Sequence, residues 1–555
     1  MRQSDTDVRP WRFYLIIGLL IVASLALVAR MLQLTVVDRA FLQKQGNART
    51  LRTIHIPAYR GMITDRNGYP LAISTPVNSV WINPQEFDAN QANLHKIAKL
   101  LHENPTTIMK RLQNNTGREF VYLKRHIDPA IGAQIEALQI PGVHLQAEFR
   151  RFYPEGESAA HVVGFTNIDD VGQEGLELAY DDWLRGVPGK ELVLKDRYGH
   201  VVDIVDVKRK AKPGDQLTLS LDHRIQYLAY RELKQTVQDN QAKSGSIVVL
   251  DVKTGEVLGM ANYPSYNPNQ RYKRRNDNFR NRAVTDVFEP GSTLKAFSVA
   301  NAIASGKYTP TSKVSTSPGY YKIGHRTVRD GRDNGTLDLT GILQHSSNVG
   351  MSKVTLSLAP ESLGNLLESM GFGTRTDSGF PGEAAGSLPM DGKQDPFSLA
   401  TLSFGYSLSV TTLQLAEGYA ELASGGVKHP VSLVKLDGAP ESERILPHQV
   451  ANQVLQMLET VVQPGGTGTR GQVPGYRVLG KTGTTRIVGP NGYEADHHNA
   501  LFVGAAPASD PRIVIAVVVR DPTGGKFYGG LVAAPVFANV MSGSLRLLDV
   551  APDKA

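Results

Sequence analysis

The sequence predicts an α+β chain: an apolar N-terminal span, a mixed α/β module, and a larger domain whose antiparallel sheet draws strands from both of its ends. Three observations carry that expectation. Strand-like runs occupy residues 246–250 and 256–261. Further strand-like runs return far downstream, at 477–484, 500–505 and 512–520. The residues between, 290–460, read mostly as helix and loop. Strands at both ends of a domain with helices between them make an antiparallel sheet with a helical insertion; a βαβ series would alternate the two throughout.

The N-terminal span comes first. Residues 13–29 carry no charge, and Met31, Leu32 and Leu34 extend the apolar run beyond Arg30. That length crosses the hydrocarbon core of a bilayer, so residues 13–34 are expected as a transmembrane helix after a cytoplasmic tail of residues 1–12. Ser24-Leu25-Ala26 has small residues at the offsets of a cleavage site, and a cleaved signal peptide is the alternative. The apolar run continues past that point, which favours an uncleaved anchor. Flanking charge leaves orientation open, because Arg2, Arg9 and Arg12 precede the span and Arg39, Lys44, Arg49 and Arg52 follow it.

Residues 35–222 are mixed, with frequent Gly and Pro turns, and close on a turn and strand at 212–222. An amphipathic helix is expected over 223–238, where Ile225, Leu228, Ala229, Leu233 and Val237 recur at helical spacing. The strand runs that follow are split by Asp251-Val252-Lys253-Thr254-Gly255, a hairpin signal. Residues 223–546 would form the second domain and 547–555 a polar tail. The absence of cysteine excludes a disulfide framework, a thiol nucleophile and cysteine-ligated metals. The formal net charge is +7, with basic clusters at Lys208-Arg209-Lys210 with Lys212 and at Arg271-Tyr272-Lys273-Arg274-Arg275. Each sits beside turn residues, so both read as solvated loops rather than a nucleic-acid surface.

Two phosphate-binding patterns fail on context. Gly475 with Gly480-Lys481-Thr482 matches the P-loop spacing, but that loop needs a helix starting at the lysine. Here Val478, Leu479, Thr484, Thr485, Ile487 and Val488 read as strand on both sides. Gly466-Thr467-Gly468-Thr469-Arg470-Gly471 matches a dinucleotide fingerprint but follows Pro464-Gly465 instead of a buried strand. Asp496-His497-His498 has no spaced partner and reads as a loop rather than a metal site. No nucleotide, metal or cofactor is expected.

The chemistry is expected elsewhere. Pro290-Gly291 opens a helix on which Leu294, Phe297, Val299, Ala300 and Ile303 are helically spaced. Ser292 would lie at its N-terminus with Lys295 three residues on, on the same face. A serine hydroxyl needs a nearby base to become a nucleophile, and a neutral lysine can serve. Ser346-Ser347-Asn348 falls between two helical segments, and Lys481-Thr482-Gly483-Thr484 lies on a strand. Gly483 would let another backbone approach, such as an extended substrate pairing with that strand. In this order the three elements are much more specific than any one of them. They form the signature of class A β-lactamases and penicillin-binding proteins.

Residues 55–550 resemble a class B penicillin-binding protein. Arg60-Gly61 with Asp65-Arg66-Asn67-Gly68 and Leu71-Ala72 is similar to the first N-terminal motif of that class. Arg151-Phe152-Tyr153-Pro154-Glu155-Gly156 is similar to the second, and Gly172 with Gly175-Leu176-Glu177 to the third. Read alone these are turns and buried salt-bridge residues. The resemblance is closest to the division-specific branch of Gram-negative bacteria, with the elongation-specific branch as the alternative. It implies a non-catalytic, dimerisation-like pedestal over 35–222. Residues 223–546 would be a transpeptidase domain with a five-stranded antiparallel sheet, flanking helices and a helical subdomain.

The activity implied is D,D-transpeptidation. Ser292 would be acylated by D-Ala–D-Ala stem peptides or β-lactams, with Lys295 as base and Ser346 as proton relay. Asn348 would hold Lys295 and the substrate amide. Lys481, Thr482 and Thr484 would hold the terminal carboxylate, and the N–H groups of Ser292 and Thr484 would form the oxyanion hole. Ser347, Gly483, Thr485 and Tyr406 are expected to line the substrate groove. The implied partners are lipid-linked precursor, the inner membrane, a septal glycosyltransferase and other division proteins, with the catalytic domain periplasmic. Two positions depart from the family pattern: Ser407, where Gly is common, and Thr485, where Ala is common. The rival expectations are a D,D-carboxypeptidase or β-lactamase and an inactive divisome scaffold. Glu361 and Glu368 follow the middle motif on a helix-like stretch and offer no clear deacylating base.

Overall fold

The computed structural model describes residues 10–196, 201–270, 278–389, 395–489 and 492–554. Arg2, Arg9 and the basic run at 271–275 lie outside them. The chain groups into two compact units whose segments alternate along the sequence. One comprises residues 1–58, 76–149 and 186–213, the other 59–75, 150–185 and 214–555.

The first unit begins with helix α1 (Pro10–Leu32), which runs into a π turn at Gln33–Val37. None of its side chains is buried, and Pro10–Val37 is long and apolar enough to cross a membrane. A sheet of three strands follows, in the order β1 (Leu51–Ile56), β2 (Gly189–Lys195) and β3 (Val201–Arg209), each antiparallel to the next. Lys208 and Arg209 therefore end a strand and do not sit in the expected loop. The β-branched run Val201, Val202, Ile204, Val205 and Val207 carries the extended backbone into them. A separate small core gathers Val80, Ile82, Leu94, Ile97, Ile108, Leu123 and Ile135.

In the second unit the three N-terminal motifs meet at one buried carboxylate. Arg60 Nε and Arg151 Nε each lie 2.6 Å from a Glu177 oxygen, and Arg60 Nη1 lies 2.6 Å from Asp181 Oδ1. Arg60, Arg151 and Glu177 are all buried. The turn residues around them are thus tied by charge-assisted bonds that water does not screen.

Helix α2 (His223–Asp239) starts on an Asp222 cap that accepts from Arg224 N. Five antiparallel strands follow: β4 (Ser244–Asp251), β5 (Val257–Tyr263), β6 (Leu479–Gly489), β7 (Gly492–Ala506) and β8 (Ile513–Arg520). Their spatial order is β5-β4-β8-β7-β6, so strands from the two ends of the domain interleave. Both faces of the sheet are buried, and alternate residues of β8 serve two cores. Val514, Ala516 and Val518 join the core that contains residues of the intervening helices. Ile515, Val517 and Val519 join the one formed with α2 and α7 (Gly529–Leu547). That second apolar helix is more than half buried and is a core element.

Two expectations are corrected here. His497 and His498 lie in β7, not a loop, because the β6–β7 hairpin runs on past the sheet as a polar two-stranded arm. His497 Nδ1 sits 2.7 Å from Asp521 Oδ1, and the His498 ring stacks on Phe527 at 4.4 Å. The C-terminal segment, expected only as a polar tail, is docked. Asp553 accepts from Arg477 N at 2.7 Å and from Ser509 N at 3.1 Å, and the Val550 carbonyl accepts from Tyr476 OH at 2.6 Å.

Removing Glu177 would leave the buried Arg151 guanidinium without this carboxylate and Arg60 with Asp181 alone. Glu177→Ala is expected to lower unfolding stability by about 3–5 kcal/mol, read from denaturant melts of the purified protein. A change below about 1 kcal/mol, the ordinary worth of an exposed pair, would remove Glu177 from this structural role.

Candidate active site

The nucleophile segment is a 3₁₀ turn, Gly291–Leu294, that runs directly into α3 (Lys295–Ala304). Gly291 has φ +54°, and a Cβ there would come within 2.3 Å of Thr485 Cγ2, so only glycine fits. The turn is held from inside. Thr293 Oγ1 donates to Pro290 O at 2.7 Å, and Tyr419 OH, from α6 (Thr412–Ala423), donates to Thr293 O at 2.6 Å. Ser292 is half-buried and Lys295 fully buried.

Lys295 Nζ lies 2.7 Å from Ser292 Oγ, 2.9 Å from Ser346 O, 3.2 Å from Ser346 Oγ and 2.6 Å from Asn348 Oδ1. No carboxylate touches it among the described residues. Burial first, and then the like charge of Lys481, hold its pKa well below the usual lysine value, against a smaller pull from Asp330. The amine is thereby shifted toward its neutral, basic form, which is what a serine three residues away on the same face requires.

Ser346 sits between α4 (Leu339–Gln344) and α5 (Asn348–Thr355) with φ +60°, a left-handed conformation that non-glycine residues adopt rarely. Ser347 caps α5 by accepting from Gly350 N at 2.9 Å, and its hydroxyl donates to Asp330. Asp330 Oδ1 also accepts from Asn348 N at 2.6 Å and Val349 N at 3.0 Å. Asp330 thus pins the strained turn, an anion at a helix N-terminus. Sequence reasoning missed it: Asp330 and Asp333 both precede the motif, and spacing does not choose between them. Ser347 is buried under the turn and is not in the groove. Asn348 is oriented at its other end by donating Nδ2 to Arg329 O at 3.2 Å.

Lys481 lies in mid-strand, paired with Val503 of β7, so its backbone cannot cradle a phosphate. Its Nζ is 3.0 Å from Ser346 Oγ and 3.3 Å from Thr482 O, and burial lowers its pKa to about 7. Strand alternation sends Thr482 and Thr484 to the cleft and Lys481, Gly483 and Thr485 to the opposite face. Two expectations change accordingly. Thr485 is buried with its methyl under Gly291, away from the groove. A Cβ on Gly483 would stand 3.0 Å from Pro290 O and 3.1 Å from Thr293 Cγ2, so the chain that crowds it is the nucleophile turn and not a substrate.

The cleft, of about 410 Å³, is lined by Ser292, Ser346, Thr482 and Thr484 together with Thr467, Thr469, Arg470, Tyr528 and Leu531. The last five were not anticipated. Thr467, Thr469 and Arg470 belong to the very segment whose glycines mimic a dinucleotide fingerprint; Thr467 Oγ1 lies 2.7 Å from Thr482 Oγ1. Tyr406 does not line the cleft. Its ring packs edge-on against Phe404 at 5.7 Å and Tyr493 at 5.8 Å, on the flank of the nucleophile turn. Ser407 beside it has φ +69° and donates its N–H to Glu289 at 3.0 Å, which explains why glycine suits that position. A polar hollow of about 640 Å³, lined by His429, His448, Asn452 and Arg477, contains none of the motif residues.

The family model for the penicillin-binding protein transpeptidase domain matches residues 245–542, and that for the penicillin-binding protein dimerisation domain matches 55–219. The chain belongs to the penicillin-binding protein transpeptidase family. It is 42% identical to the peptidoglycan D,D-transpeptidase FtsI of Escherichia coli K12, over all of this chain and 94% of that one. It is 43% identical to the probable peptidoglycan D,D-transpeptidase PbpC of Pseudomonas aeruginosa, covering 98% of this chain and 96% of that one. The crystal structure of penicillin-binding protein 3 from Mycobacterium tuberculosis complexed with aztreonam is 29% identical, with a TM-score of 0.71, over 90% of this chain and 98% of that one. The family's chemistry is serine acyl transfer.

The depressed lysine has a thermodynamic signature. Lys481 has a pKa of about 7 in the folded chain against the ordinary 10.5. Between those values the unfolded chain binds more protons than the folded one, so this group's contribution to stability rises with pH across that window. The stability advantage of Lys481→Met over the wild type, read from denaturant unfolding at a series of pH values, should be largest near pH 7 and shrink toward pH 10. A difference that is flat in pH would show that Lys481 is not depressed.

Proposed function

We propose that this chain is a peptidoglycan D,D-transpeptidase of septal cell-wall synthesis, anchored in the inner membrane with its catalytic domain in the periplasm. The observation that carries the reading is the 2.7 Å contact between a fully buried Lys295 amine and Ser292 Oγ. Neutral Lys295 takes the Ser292 proton as the oxygen attacks the penultimate D-Ala carbonyl. The N–H groups of Ser292 and Thr484 stabilise the oxyanion. Collapse of the tetrahedral intermediate breaks the D-Ala–D-Ala amide bond. Ser346, within reach of both lysines, passes a proton to the departing nitrogen. The amine of a neighbouring stem peptide then attacks the ester, loses its proton by the same relay, and frees Ser292 oxygen. β-Lactams acylate the same serine and leave their second fragment tethered.

The septal role rests on similarity to the transpeptidases named FtsI, and with it come a septal glycosyltransferase and other division proteins as partners. A periplasmic catalytic domain follows from where stem peptides lie. Neither Glu361 nor Glu368 lines the cleft, which favours transfer to an amine over hydrolysis.

The test is the fate of the acyl-enzyme. Fluorescent penicillin should label Ser292 and the label should persist for many minutes to hours. Ser292→Ala should abolish labelling, and Lys295→Ala should slow it by about 10²–10⁴-fold, the usual worth of a positioned base. Rapid multiple turnover of the β-lactam would establish a hydrolase. Stable labelling with no cross-linking of lipid-linked precursor, partners supplied, would establish a scaffold. Protease added to spheroplasts should degrade the catalytic domain; protection would reverse the orientation.

A further inference from the structure

A terminal carboxylate entering the cleft meets neutral groups first. Thr482 and Thr484 present hydroxyls, and the Thr482 hydroxyl is already shared with Thr467. Lys481 is wholly buried behind them, with its amine bonded to Ser346 Oγ and Thr482 O. Burial leaves its pKa at about 7, so at neutral pH a large share of molecules carry no charge there. Taking an anion out of water into such a site is costly unless it is paired and hydrogen-bonded.

Among the residues that line the cleft, Arg470 is the one with a charge, and a guanidinium stays protonated at any physiological pH. It is exposed and, among the described residues, makes no hydrogen bond or ion pair. The turn that carries it, Thr469–Gly471, is firmly seated. Gly468 N donates to Val461 O at 2.9 Å and Gly471 N to Gly468 O at 2.8 Å. Gly471 lies so close to the Phe502 ring that a Cβ would come within 2.7 Å. Two residues before the turn, Thr467 touches Thr482. An unpaired, always-charged residue thus sits on a fixed turn that borders the same cleft as Thr482 and Thr484.

We propose that Arg470 is the specificity-determining cation for the substrate's terminal carboxylate, completing with Thr482 and Thr484 the anion subsite beside Ser292. The assignment rests on the transpeptidase reading. It makes the free carboxylate next to the scissile amide a requirement read mainly from the Gly466–Gly471 segment, with Lys481 serving the proton relay behind.

The experiment compares acylation rate constants for benzylpenicillin and for its methyl ester in the full chain, with wild type, Arg470→Ala, Arg470→Gln and Arg470→Lys. For the acid, the Ala and Gln variants should lose about tenfold, the order of one charge-assisted contact, and Lys should recover most of it. For the ester all four proteins should react alike. Equal losses on acid and ester, or no loss on the acid, would overturn the assignment while leaving the transpeptidase reading intact. A wild-type chain that benzylpenicillin does not acylate would overturn that reading, and this assignment with it.

Discussion

A lysine amine buried without a carboxylate is the constraint from which the catalytic unit is built. Placing Lys295 Nζ in the core is costly while it is charged. The surroundings shift it toward the neutral form while still offering it hydrogen-bond partners. A backbone carbonyl and an amide oxygen accept from it, and the hydroxyls of Ser292 and Ser346 lie within hydrogen-bond distance. Each needs its own support. Asn348 is fixed by Arg329, and Ser346 is kept at a positive φ by the bonds that Asp330 makes to the next three residues. The nearest full negative charge, on Asp330, is spent on that turn. It only partly offsets the combined effect of burial and Lys481 on the amine.

The second requirement is proximity between segments far apart in sequence. The nucleophile turn sits at one end of the helical insertion and β6 in the last third of the chain. Gly483 and Gly291 let the turn and the strand meet almost backbone to backbone. That closeness brings Lys481 Nζ to 3.0 Å from Ser346 Oγ and aligns Thr482 and Thr484 with Ser292 along one cleft. The interleaved sheet β5-β4-β8-β7-β6 is the rigid frame for this, because both of its faces are buried and the strand cannot shift register without exposing apolar side chains.

What the sequence disclosed and what it hid follow from the range of each interaction. The Ser292–Lys295 pair is legible because three residues on a helical turn share a face. The five strand runs are legible because their apolar stretches are bounded by turns. Thr485 is misread because a strand alternates faces: adjacency to Thr484 in sequence means separation in space. Asp330 escapes because its partners are 17 to 19 residues away across a loop. Arg60, Arg151 and Glu177 look like separate motifs, yet they converge on one carboxylate. The Gly466–Gly471 run is dismissed with the dinucleotide reading because the residues before it say which ligand it does not suit, not which cleft it borders.

One hydroxyl touches both lysines: Ser346 Oγ stands 3.2 Å from Lys295 Nζ and 3.0 Å from Lys481 Nζ. Two ammonium groups joined through one side chain in a buried site cannot both be held comfortably. On the proposed mechanism that coupling gives the proton a direction. When Lys295 takes the Ser292 proton it becomes charged beside Lys481, in surroundings that favour its neutral form. The new ammonium is therefore a stronger acid than an ordinary lysine, and Ser346 is the group through which it can discharge toward the leaving nitrogen. The same depression that makes Lys295 a base for acylation thus makes it an acid for bond cleavage. A carboxylate placed directly against Lys295 would raise its pKa and spoil both roles. Its nearest acid, Asp330, instead takes its bonds from Ser347, Asn348 and Val349, which keeps the turn in place without neutralising the amine.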